Sequence, residues 1–207
     1  MTRDLSLPQG VLHYPQYLDR PACDQLVSAI RERIAQAPLF APKMPKTGRP
    51  MSVRMSNFGT LGWVTDKEHG YRYQTTHPET GQPWPEIPPL LIELWEKFAD
   101  YPAPPEACLV NFYDDRAKMG MHQDRDEETF DAPVLSISLG NDCLFRIGNV
   151  ERGGKTQSLR LLSGDVLLLS GPARLIHHGV DKIYPDTSDL LKSGGRINLT
   201  LRRVTAA

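Results

Sequence analysis

A few short segments of this 207-residue chain carry side chains whose types and spacing could do chemistry. In MHQDRDEE, His122 and Asp124 stand at i and i+2, so an extended backbone projects both to one side, where they can reach one metal ion. In RLIHHGV a pair of histidines, His177 and His178, follows the apolar run GDVLLLSG. The segment RINLTLR puts Arg196, Asn198, Thr200 and Arg202 on one face of a strand and Ile197, Leu199 and Leu201 on the other. Alone, that is how a surface strand reads; turned inward, its two guanidiniums become forks for carboxylate or phosphate. ACLVNFY is built similarly, with Leu109, Asn111 and Tyr113 facing one way and Cys108, Val110 and Phe112 the other. Since this strand reads as buried on both faces, Asn111 and Tyr113 need hydrogen-bond partners, which a ligand could supply.

Two histidines and a carboxylate form the facial set that holds non-haem Fe(II) and leaves positions open for substrate and dioxygen. An isolated H-x-D is a weak signal. The third ligand stays open among His13, His69, His77, His177 and His178. His69 and His77 lie in the polar, turn-rich DKEHGYRYQTTHPETGQ, where exposed histidines are expected, whereas RLIHHGV reads as a strand.

The elements that must position these groups follow from periodicity. Leu26, Val27, Ile30 and Ile34 recur at helical spacing after Asp19 and Pro21, and Leu91, Leu94, Trp95 and Phe98 do so in PPLLIELWEKFADYP. From Cys108 onward the chain turns to short β-branched or alternating runs punctuated by Gly, Asn and Asp. Two helices followed by many short strands predict an α+β protein with an antiparallel barrel or sandwich of jelly-roll type.

Composition excludes several classes. Lys and Arg number 24 against 25 Asp and Glu, a formal charge of -1, so a polyanion partner must be held by a local patch, not a global field. The clear basic cluster is Lys43, Lys46, Arg49 and Arg54. Cys23, Cys108 and Cys143 are far apart and odd in number, which argues against a disulfide framework or a thiolate zinc site and for a reducing compartment. No apolar run nears the roughly 18 residues of a membrane span, and the first residues lack a signal-peptide core. A soluble, cytoplasmic protein with no visible targeting segment is expected. Prolines, 18 of 207, gather in LFAPKMPKTGRP and PWPEIPP, which read as connectors.

Taken in order, NFY, HQDRDE, RLIHHG and RINLTLR resemble the motifs N-x-Y, H-x-D-x-D-E, R-L-x-x-H-G and R-x-N-x-T-x-R of the AlkB-type Fe(II) and 2-oxoglutarate dependent dioxygenases. The resemblance runs from about Met51 to the last strand, with the first fifty residues matching weakly. It implies a double-stranded β-helix, or jelly-roll, core with N-terminal helices and a nucleotide-recognition lid. The whole is expected to be one domain: residues 1–105 hold the extension, helices and lid, the lid about 45–85, and residues 106–207 the catalytic core.

The family's metal histidine directly precedes a glycine, which selects His178, so the iron ligands implied are His122, Asp124 and His178. Alternation then turns His177 the other way, leaving it to packing or surface. Arg202 resembles the arginine pairing with the 2-oxoglutarate carboxylate near the metal, and Arg196 the one pairing with the distal carboxylate. Asn111, Tyr113 and Asn198 match positions that hydrogen-bond the cosubstrate. Leu169 stands where relatives often carry tryptophan.

The activity implied is oxidative demethylation, using dioxygen and 2-oxoglutarate, of an N-methyl group on a nucleobase such as N1-methyladenine or N3-methylcytosine, with release of formaldehyde and succinate in alkylation repair. The implied partner is alkylated nucleic acid, DNA first and RNA second, single-stranded or with its base flipped out, and the expected state is a monomer. Met55, Trp63, Tyr71, Asp126 and Arg152 match substrate-contacting positions, with Glu127 a weaker candidate beside Asp126. Two other functions compete: a hydroxylase of proteins or small molecules built on the same centre, and a jelly roll that binds damaged bases without turnover.

Overall fold

The chain folds around one large antiparallel sheet, and residues 7–206 are described in this computed structural model. Six strands form it in the order β1 (Val11–Tyr14), β10 (Val166–Leu169), β7 (Val134–Gly140), β12 (Arg196–Arg202), β5 (Ala107–Tyr113) and β2 (Arg54–Gly59). A second sheet has the order β6 (Met119–His122), β11 (His178–Ile183), β8 (Cys143–Ile147) and β9 (Gln157–Leu161). The hairpin β3 (Gly62–Asp66) and β4 (Gly70–Gln74) forms a separate ribbon. Helices α1 (Arg20–Gln36) and α2 (Pro89–Phe98) complete this mostly antiparallel jelly roll.

Alternation assigns the faces. Ile197, Leu199 and Leu201 of β12 join Leu135 and Ile137 of β7, Val110 of β5, and Leu26, Ile30, Leu91 and Trp95 of the helices in one core. Burying an aliphatic side chain of this kind contributes about 1.5–3 kcal/mol, and this core fixes the large sheet against the helices. The opposite face of β12, with Arg196, Asn198, Thr200 and Arg202, lines a cavity instead. α1 begins where the sequence predicts: Asp19 caps it, its carboxylate accepting from the Ala22 amide at 3.0 Å.

Several expectations are corrected. β1, whose four residues carry too little alternation to stand out in the sequence, is the outer strand paired with β10, Val11 opposite Leu169. Within residues 45–85, β2 belongs to the large sheet and pairs with β5, while β3 and β4 form the separate ribbon. Of RLIHHGV, only the part from His178 onward is strand, and a single 3-10 turn at Gly171–Ala173 leads into the segment. His77 is buried rather than exposed: its Nε2 lies 2.8 Å from the Pro38 carbonyl, and its Nδ1 accepts from the Glu79 and Thr80 amides. A buried ring there stitches the 77–82 turn to the chain just past the end of α1.

Candidate active site

The two sheets bring the sequence-predicted ligands together. His178 begins β11 directly opposite His122 at the end of β6, and the two rings lie 4.6 Å apart. Gly179 is needed for this pairing, since a Cβ there would stand 2.5 Å from the Met119 carbonyl oxygen. Asp124 follows two residues after His122 in the loop leaving β6, with its oxygens 3.5 Å from His122 Nε2 and 3.6 Å from His178 Nε2. One donor atom from each residue lies within 4.8 Å of the other two.

Backbone carbonyls set the tautomers. His122 Nδ1 lies 2.9 Å from the Gly120 oxygen and His178 Nδ1 3.0 Å from the Ile176 oxygen. A carbonyl only accepts, so each Nδ1 carries a proton, which leaves Nε2 on each ring as the atom that can ligate a metal once it is free of its own proton. Such outer contacts fix the orientation of metal-binding imidazoles.

At Asp124 and His178 electrostatics favour the forms a cation requires, whereas at His122 the neighbouring Asp124 carboxylate favours the protonated ring until a cation takes the proton's place. Burial would raise the Asp124 carboxyl, but Arg202, His178 and His122 override it and hold Asp124 well below the usual carboxylate range. Burial pushes His178 down to about 4 despite Asp124 beside it. Burial also opposes charge on His122, yet its hydrogen bond to Asp124 leaves it raised. Unfolded His178 takes up a proton near pH 6.5, while the folded protein refuses it until about 4. Across that window the unfolded chain binds more protons, so the metal-free protein is expected to lose stability as pH falls. His122 acts in the opposite sense and in a different window: its contribution is present below its unfolded value and lost as pH rises through its raised one. Glu106 and Glu127, held below the usual carboxylate value, act in the same direction near pH 4, so the His178 effect is the part of the fall in melting temperature of metal-free protein between about pH 6.5 and about pH 4 that His178→Gln removes; an equal fall in that variant contradicts it.

The ligands open onto a cavity of about 50 Å³ lined by both sheets. Asn111, Tyr113, Arg196, Asn198 and Arg202 all face it, as the alternation of β5 and β12 requires. Ser136 and Thr200, which carry no distinctive sequence signal, also line it. Arg196 is 1% exposed and donates to Ser138 Oγ at 2.6 Å and the Asn141 carbonyl at 3.2 Å. Arg202 donates through Nη2 to Asp124 Oδ1 at 2.7 Å and through Nη1 to Glu127 Oε1 and the Tyr73 hydroxyl, both at 3.0 Å. Four buried polar atoms of the cavity-lining residues have no hydrogen-bond partner: Asn111 Oδ1, Asp124 Oδ2, Arg196 Nε and Arg202 Nε. Buried polar atoms are rarely left unsatisfied. One free carboxylate oxygen beside two imidazole lone pairs suits a divalent iron, and two idle guanidinium N–H groups suit a small dicarboxylate.

The substrate-contact candidates lie outside this cavity. Trp63 and Tyr71 stack across the β3–β4 hairpin, centroids 5.6 Å apart and planes at 22°. Trp63 Nε1 donates to Asp126 Oδ2 at 2.7 Å, and Tyr71 is 51% exposed. Met55 is buried in the large sheet opposite Asn111. Arg152 lines a separate cavity with Asn149 and His177. His177 itself is half-buried, its Nδ1 2.9 Å from the Asn149 oxygen, and it does not face the metal cavity. Glu127 is corrected outright: its carboxylate is enclosed by Arg202, Arg174 and Tyr73 and is not free to meet a base.

Comparison with known proteins agrees with this geometry. The profile of the 2OG-Fe(II) oxygenase superfamily matches residues 10–202, so most of the segment read as weakly matching lies within the family too. The chain is 52% identical over 207 residues, all of this chain and 93% of the relative, to an alpha-ketoglutarate-dependent dioxygenase AlkB homolog of Caulobacter vibrioides. It is 34% identical over 176 residues, 75% of this chain and 57% of the relative, to the tRNA demethylase abh1 of Schizosaccharomyces pombe. Among solved structures, OsALKBH1 superposes with a TM-score of 0.77 at 30% identity, covering 95% of this chain and 99% of that one. A facial His-Asp-His set in a jelly roll, an arginine-lined cavity and a match along nearly the whole chain place this protein in the AlkB-type branch of the Fe(II) and 2-oxoglutarate dependent dioxygenases.

Proposed function

We propose that this dioxygenase removes N-linked methyl groups from nucleobases, N1-methyladenine and N3-methylcytosine in single-stranded or flipped-base DNA first and RNA second, and so serves alkylation repair as a cytoplasmic monomer. The carrying observation is the stacked Trp63–Tyr71 pair, bonded to Asp126 two residues beyond the metal ligand Asp124. Aromatic faces that stack on bases are worth about 1–3 kcal/mol per base. A methyl on the Watson–Crick edge is reachable only when the base leaves the stack. The exposed Lys43, Lys46, Arg49 and Arg54 supply a local basic patch for phosphates. The tRNA demethylase named above supports nucleic acid as the substrate class.

In this reading His122, Asp124 and His178 hold Fe(II), and together with 2-oxoglutarate and dioxygen it supplies the oxidising power. Arg202 and Arg196 bind the two cosubstrate carboxylates, while Asn111, Tyr113 and Asn198 orient the molecule between them. Val134, Phe145, Leu161, Leu167 and Leu169 keep the cavity wall apolar and exclude water. Trp63 and Tyr71 receive the flipped base, Asp126 offers its second oxygen to the base edge and favours the positive charge that such methylation creates, and Arg152 and Met55 shape the periphery. The oxidised methyl leaves as formaldehyde.

Purified protein with Fe(II), ascorbate and 2-oxoglutarate is expected to release formaldehyde from N1-methyladenine in single-stranded DNA faster than from the same base in duplex. Methylated tRNA in the same assay ranks RNA against DNA. Formaldehyde absent from all three, with 2-oxoglutarate still consumed when peptides or small molecules are added, would move the protein to the hydroxylase reading.

A further inference from the structure

Glu127 sits three residues after a metal ligand, yet its side chain is fully enclosed. Its Oε1 accepts from the Tyr73 hydroxyl at 2.5 Å and Arg202 Nη1 at 3.0 Å, and its Oε2 from Arg174 Nη2 at 3.2 Å. Arg174 also donates through Nη1 to the Asp124 carbonyl at 2.6 Å and through Nε to the Ala132 carbonyl at 2.8 Å, so one guanidinium holds both ends of the loop that carries Asp124 and Glu127. Asp124 and Glu127 thereby face Arg174 and Arg202 in a buried, charge-balanced set. Among the described residues, the backbone of β4, which carries Tyr73, pairs only with β3.

The two sides of the Arg202 guanidinium are used differently. Nη1 is anchored by Glu127 and Tyr73. Nε and Nη2 share the other edge, where Nε has no partner and Nη2 meets Asp124. That edge is the fork a carboxylate takes in a bidentate pair. It can be offered only if Nη1 stays fixed, because a guanidinium is planar and rigid and turns as a whole.

We infer that Glu127 and Tyr73 are positioning residues for Arg202, and that through Tyr73 the β3–β4 hairpin and the carboxylate-binding edge of Arg202 form one thermodynamic unit. Cosubstrate on Arg202 then steadies the hairpin, and a hairpin detached from Tyr73 weakens cosubstrate binding by the same factor, as linkage requires. The inference uses the family's cosubstrate but no nucleic acid, so it stands or falls apart from the demethylase reading.

The test uses the full chain loaded with Mn(II), a redox-silent stand-in, under anaerobic conditions. Calorimetric titration with 2-oxoglutarate is expected to give a Kd roughly tenfold weaker in Tyr73→Phe, the effect of losing one hydrogen bond to a charged group, with Mn(II) affinity close to wild type and a melting temperature lowered by a few degrees. In wild type, 2-oxoglutarate should slow amide exchange at residues 70–74, and in Tyr73→Phe that slowing should disappear. Glu127→Gln, which keeps the acceptor shape but removes the charge, should weaken cosubstrate in the same direction. Unchanged cosubstrate affinity in Tyr73→Phe, or hairpin exchange in wild type that ignores 2-oxoglutarate, overturns the inference. A drop in Mn(II) affinity matching the cosubstrate loss would assign Tyr73 to the general integrity of the site and overturn it as well.

Discussion

His178→Ala is expected to lower divalent-metal affinity by more than about 100-fold, exceeding what loss of an outer-shell contact does, and to abolish 2-oxoglutarate turnover. His177→Ala should leave both within a few-fold of wild type. The adjacent histidines differ because of where each ring goes. His178 is buried, with its Nδ1 proton committed to the Ile176 carbonyl and its Nε2 turned to Asp124. His177 precedes the strand, and its ring meets Asn149 beside a different cavity. Calorimetry with Mn(II) and cosubstrate turnover measure the contrast, with circular dichroism reporting the fold. Equal losses in the two variants with intact folds would defeat the assignment of His178 as a ligand.

Arg202→Met should be the most damaging change to stability in the site. Arg202 is 6% exposed and neutralises Asp124 and Glu127, both buried. Burial by itself would disfavour its charge, and Asp124, Tyr73 and Glu127 together raise it well above the ordinary arginine value. Removing one partner from such a set leaves an uncompensated buried charge, which costs about 3–5 kcal/mol. Cosubstrate binding should be lost at the same time, since the proposed clamp for its carboxylate is gone. Arg202→Lys keeps a charge but not the planar fork, so it should retain most of the stability while still binding 2-oxoglutarate more than about tenfold more weakly. Urea unfolding and calorimetric titration separate the two effects. An Arg202→Met protein as stable as wild type would mean that the carboxylates find another counter-ion.

Much of the catalytic core was legible in the sequence because a strand's period of two is a local property. RINLTLR and ACLVNFY have their cavity faces where alternation puts them, and the helical faces of α1 and α2 pack where their apolar spacing puts them. The third metal ligand was not legible from residues alone, since five histidines competed and only the family register selected His178. Relations set by tertiary packing were hidden. Glu127 reads as a weaker base-contacting candidate beside Asp126, and only the fold brings Arg174, Arg202 and Tyr73 around it. Arg174 belongs to the R-L-x-x-H-G motif, but nothing local shows that its guanidinium ties the Asp124 loop at both ends. His77 looked exposed because its neighbours are polar, while its own ring is the turn's internal partner. Met55 stands across the β2–β5 pair from the cavity-lining Asn111, a neighbour that no local signal in β2 shows.

The most direct measurement is the stoichiometry of turnover on a single-stranded DNA oligonucleotide carrying one N1-methyladenine. Succinate and formaldehyde are quantified in the same reaction, and the demethylated oligonucleotide is confirmed by mass spectrometry. Equal amounts of all three products are expected, with none formed by His178→Ala. Succinate released without formaldehyde or base demethylation, across single-stranded DNA, duplex and tRNA alike, would contradict this expectation.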